Sequence, residues 1–123
     1  MNAVVPAALA AVAAGMAQNL EVHTRALDPD DPAAGQEQAA YERIARSLRS
    51  AATDLRAAAA EMDAAVDLPM GAHDMATMAT TDVLDAFERY VAAEEDLRRL
   101  LEARRADNEQ MLTMIRAAVD ADR

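Results

Sequence analysis

Residues 74–123, DMATMATTDVLDAFERYVAAEEDLRRLLEARRADNEQMLTMIRAAVDADR, decide the fold: they reach the end of the chain without a proline or a glycine. Val83, Phe87, Tyr90, Leu97, Leu101, Met111 and Ile115 recur there at spacings built from three and four, the period of one helix face. Glu94, Arg104 and Asn108 fall in the same stripe, where a plain core would carry Leu or Ala. At about 1.5 Å per residue, one continuous helix over this stretch is about 70 Å long. Thr80-Thr81-Asp82 resembles a helix start, and Asp107 followed by Gln110 resembles a capping box. A fold-back near 106–108 would therefore give a fourth helix. The continuous reading is favoured, because propensity through Glu102–Glu109 is good and no glycine offers a hinge.

Upstream, Leu68-Pro69-Met70-Gly71 breaks the chain, with Asp74 placed to cap the long helix. A second helix is expected over 33–66. Its seam is Tyr41, Ile44, Leu48, Ala51, Leu55, Ala58, Met62 and Ala65, opposite a charged face that carries Arg43, Arg46, Arg49 and Asp54. Asp28-Pro29-Asp30-Asp31-Pro32 forms the preceding turn. The first helix is expected over 4–27, with the stripe Val5, Leu9, Val12, Met16, Leu20, His23 and Leu27. Glu42 with Arg46, Glu94 with Arg98 and Glu95 with Arg99 stand four apart and can pair on helix surfaces. The expected architecture is all-α: an antiparallel three-helix bundle with a long C-terminal helix, one domain over 1–123.

The first two helices come to about 36 and 50 Å, so the third outruns them. Its last turns carry Met111, Leu112, Ile115 and Val119, which a solvated overhang tolerates poorly. A homodimer that buries these ends is the economical arrangement, with two-fold symmetry the default. Arg104 and Asn108 precede them on the seam. Polar seam residues of this kind fix register or oligomeric state, and Glu37 of the second helix or its copy in a partner chain would balance Arg104.

Composition narrows the function. Of the 123 residues 53% are apolar, but alanine supplies half of that share, and there are only one Phe, two Tyr and no Trp. Alanine brings helix propensity and close helix approach but little transfer free energy. A formal net charge of −10 argues against nucleic acid and anionic membrane surfaces as partners. Every basic residue is arginine, and no cysteine is present for thiol chemistry or a zinc–thiolate site. Residues 3–17, AVVPAALAAVAAGMA, have no basic residue before them and form a run too short for a bilayer. They read as a buried helix of a cytoplasmic protein without a membrane role.

Two constellations have ligand chemistry. His23 and Glu94 fall at one level of an up-down-up bundle and could meet inside it, as a proton-transfer pair or two ligands of a metal site. The plainer reading is a buried pair in which each group satisfies the other. A carboxylate-bridged di-iron bundle needs Glu-x-x-His repeats, which this chain lacks. Met70, His73, Met75 and Met78 cluster within nine residues, and thioether with imidazole suits copper or another soft transition metal. Methionine is equally the gap-filler where helices splay at a bundle end. No phosphate loop and no serine elbow is present. The sequence therefore points to a non-enzymatic bundle without a cofactor, acting in self-association or protein–protein interaction. The alternative is a small-ligand or metal-binding bundle that uses His23 with Glu94 or the Met70–Met78 cluster.

Overall fold

The structure is a computed structural model that describes residues 2–27, 30–66 and 72–123, with side chains described for all of these except 32, 33 and 72–76. Three helices follow in order: α1 (Val4–Arg25), α2 (Pro32–Val66) and α3 (Ala72–Ala121). The chain is an all-α three-helix bundle. α3 is continuous through 80–82 and through 106–108. It begins at Ala72, so Asp74 lies inside the helix rather than capping it. Successive helices run antiparallel, with α1 and α3 both packed along α2.

α2 is the hub because its seam holds the large apolar side chains. Tyr41, Ile44, Leu48 and Leu55 are wholly buried, and Ala51, Ala58, Met62 and Ala65 complete the stripe as the sequence pattern predicts. The other two helices keep Leu20, Val83 and Tyr90 in the core as expected but are otherwise turned to bring alanines inward. α1 buries Pro6, Ala10, Ala13, Ala17, Leu20 and Thr24, leaving Val5 and Val12 about half exposed, at 48% and 49%. α3 buries Ala79, Val83, Ala86, Tyr90 and Ala93, leaving Phe87 at 38% and Leu101 at 49%. The physical reason is alanine. A methyl lets two helix backbones approach closely, so every neighbouring contact gains dispersion energy that a larger side chain would forfeit by holding the helices apart. Buried alanines stand seven apart on all three helices: Ala10 and Ala17; Ala45, Ala52 and Ala59; Ala79, Ala86 and Ala93.

Charged side chains clamp the flanks. Arg49 of α2 grips Glu21 of α1 with both of its donors, Nη2 to Oε2 at 2.7 Å. That bidentate bond holds the Glu21 carboxyl below the usual carboxylate range and the Arg49 guanidinium above its ordinary value. Arg89 of α3 donates to Asp54 and, at 3.1 Å, to Ser50 of α2. On α3 itself, Arg98 pairs with Glu95 and Glu102, and Arg99 reaches Glu95 at 3.5 Å. Glu94 is not Arg98's partner; it accepts from Tyr90 instead.

At 22 residues, α1 is long and apolar enough by length and composition to cross a membrane, which the shorter apolar run in the sequence does not suggest. In the bundle it turns its alanine face to α2 and its Glu21 to Arg49.

Close alanine packing predicts an asymmetry between substitutions. Ala86→Leu should destabilise the fold by about 1–3 kcal/mol through overpacking, although it adds hydrophobic area. Val12→Ser on the half-exposed flank should stay within about 0.5 kcal/mol. Urea titration followed by helical circular dichroism measures both; a stabilised Ala86→Leu would contradict the packing described here.

Candidate functional site

The three helices differ in length, and the mismatch falls at one end. α2 has 35 residues and α3 has 50, so they span about 52 and 75 Å. Near that end the bundle closes on a small polar knot. Arg104 Nη1 donates to Glu37 Oε1 of α2 and to His23 Nε2 of α1, both at 2.8 Å. A guanidinium only donates, so His23 Nε2 is the acceptor and the ring proton sits on Nδ1. The His23 ring packs edge-on against Tyr41, with centroids 4.9 Å apart. The Tyr41 hydroxyl is fully buried and outside good hydrogen-bond geometry with any group. It nonetheless lies close enough to Arg104 to hold that guanidinium's proton more tightly, ahead of the contribution from Glu37. Arg104 is thus tied to α1 and α2 at once, and its counter-charge is Glu37 of the same chain.

Beyond this knot α3 has no cover. Every side chain from Arg105 to Arg123 is exposed, over about 25 Å of helix. Met111, Leu112, Met114, Ile115 and Val119 stand on it between 45 and 60% exposed. The helix persists here because the bundled part of α3 has already formed the costly nucleus, and Glu, Gln, Met, Leu, Arg and Ala propagate it well. Arg105 pairs with Glu109 at 3.2 Å one turn on, which adds local support. Large apolar side chains clustered on an otherwise polar element mark an interaction surface. A second apolar surface lies at the other end of α3, an open groove of about 380 Å³ between α1 and α3 lined by Val5, Leu9, Val83, Leu84 and Phe87.

The residues with ligand chemistry are not assembled as the sequence suggested. His23 meets Arg104 and Tyr41, not Glu94. Glu94 is exposed, one helix position outside the buried face, and accepts from the Tyr90 hydroxyl at 2.9 Å. The pair therefore does not form. The difference is mainly one of level: His23 lies beside Arg104, about 15 Å further along α3 than Glu94, and the core position next to Glu94 is taken by Ala93. Of the methionine cluster, Met78 is 66% exposed, while Met70 and the side chains of His73 and Met75 lie outside the described residues. Among the described residues no three His, Asp or Glu side chains converge to hold a metal ion. Asn108, Met111, Leu112, Ile115 and Val119 all lie on the overhang, with Arg104 at its root. Met114, 60% exposed, belongs with them although it falls off the single-face stripe of the sequence.

Tyr90 links the knot's side of the bundle to α1, since its hydroxyl also touches Met16 Sδ at 3.4 Å. Burial first, and then the hydrogen bond to Glu94, raise its pKa above the ordinary 10.0. Below that value both folded and unfolded chains keep the phenolic proton. As pH rises past it, the unfolded chain ionises first, so stability should fall until Tyr90 itself ionises. In a Tyr41→Phe background, ultraviolet titration should place the native tyrosinate midpoint above that of the urea-unfolded chain; coincident midpoints would contradict the burial of this hydroxyl. No known family model matches the chain, and comparison with curated proteins and with solved structures returned no match either.

Proposed function

We propose that this is a non-enzymatic helical-bundle protein that works by associating with itself or with another protein, through the overhanging end of α3. One observation carries the reading: large apolar side chains stay about half exposed where α3 has outrun both of its neighbours. Burying a Leu, Ile or Met side chain fully is worth about 1.5–3 kcal/mol, so covering several of them gives a real driving force for association. Solubility does not explain their presence, because any polar helix-former would hold the overhang equally well. The acidic balance, −10 overall, supports a protein partner over nucleic acid.

A homodimer is the arrangement we favour, since identical overhangs offer each other matching surfaces and closed two-fold assembly is the commonest outcome. The residues in the contact are Leu112, Ile115 and Val119, bordered by Met111 and rooted at Arg104 and Asn108. A cytoplasmic location fits α1 packed as a bundle helix with Glu21 tied to Arg49. The contact is small. Half-exposed side chains on one helix remove on the order of a few hundred Å² per chain, below the roughly 800 Å² per partner of a standard stable interface.

The dimer should therefore dissociate on dilution. Sedimentation equilibrium should show a monomer–dimer equilibrium for the full chain, and Ile115→Asp should shift it to monomer without moving the unfolding transition of the dilute protein. A chain ending at Asp107 should be monomeric at every concentration. If that shortened chain keeps the oligomeric state of the full chain, the overhang is not the interface.

A further inference from the structure

Resting on that reading of the overhang, we infer that its partner is a second copy of the same helix end, laid antiparallel with the two-fold axis beside Leu112. The charges supply the argument. Arg105, Glu109, Arg116 and Asp120 fall on one side of α3 at successive spacings of four, seven and four. That series reads the same from either end, and its signs alternate throughout. Turned end for end about a point between Leu112 and Thr113, every charge meets its opposite: Glu109 with Arg116, Arg105 with Asp120. Laid parallel and in register, every one of them meets its own copy.

The apolar seam lies immediately beside this strip. Leu101, Leu112, Ile115 and Val119 share one side of the helix with Asn108, and each of these four apolar residues is about half exposed. Beyond Arg104 that side is free because α1 ends at Arg25, just past the His23 that reaches Arg104. The same antiparallel register sets Leu112 against its own copy. Ile115 then lies within one residue of the level of Met111 of the other chain, so that two half-exposed apolar side chains meet. Val119 lies level with Ala106 of the other chain, next to Arg105, whose aliphatic stem can cover it while the guanidinium reaches Asp120. Apolar matching and charge matching thus select one orientation and one register, and like charges oppose the parallel alternative.

Two measurements on the full chain test this. The protein has no cysteine, so one introduced residue carries a spin label at a known place. Labels at Thr113→Cys should lie close together in the dimer, while labels at Ala121→Cys should stand about 25 Å apart along the helix axis. Close approach at both positions means a parallel pair and overturns this inference while leaving self-association intact. A chain that stays monomeric at millimolar concentration overturns both. Glu109→Arg or Arg116→Glu alone should weaken the dimer about tenfold, because each change places two like-charge contacts across the axis. Combined in one chain, Glu109→Arg with Arg116→Glu should return affinity to within about threefold of the original, since the two charges have only exchanged places. Additive weakening in the double variant overturns the register.

Discussion

The bundle depends on how closely two helices can approach the seam of α2. Four large side chains, Tyr41, Ile44, Leu48 and Leu55, are wholly buried there, and most of what surrounds them is alanine. A core so poor in large residues gains little from transfer free energy per side chain and much from contact density. The alanines at seven-residue spacing keep the backbones near one another along the whole overlap, and the Arg49–Glu21 and Arg89–Asp54 pairs hold the flanks in rotation.

That same economy explains the exposed apolar residues. Once α1 and α3 turn their alanines inward, most of their large apolar residues, Val5, Val12, Leu84 and Phe87 among them, must stand to the side. This produces the open groove lined by Val5, Leu9 and Phe87 at one end. At the other end nothing remains to turn toward. Arg104 closes the shared part of the bundle by joining α1 and α2, and α3 continues alone. The interaction surface is a consequence of unequal helix lengths as much as of composition.

How far the sequence could be read follows from side-chain size. The α2 seam was legible in full because its largest apolar residues are also its buried ones. Helix boundaries were legible because prolines and acidic turns interrupt strong helix formers. The faces of α1 and α3 were read in part: Leu20, Val83 and Tyr90 are buried as expected, but elsewhere the reading gave the core to the larger residue, Val12 over Ala13 and Phe87 over Ala86. The buried alanines at intervals of seven carried the correct answer. At the candidate site, Glu94 read as a core partner of His23, whereas Arg104, at the root of the overhang and about 15 Å further along α3, is the residue that meets it. Glu37 as the counter-charge of Arg104 was legible from the antiparallel register of α2 and α3, although α1 has not ended at that level, since its His23 reaches the same guanidinium. The exposed end of α3 followed from arithmetic on lengths, which needs no knowledge of faces at all.

Because α3 is one unbroken rod, its two ends are locked in angular phase. The knot at Arg104 fixes the azimuth at which the free end presents Leu112, as a keyed shaft fixes the position of a tooth. Inserting one residue between them would swing that tooth by about 100°, out of reach of its counterpart, whereas seven would bring it back within about 20°. The spacer between body and tip is therefore constrained in its length even where no side chain along it touches anything.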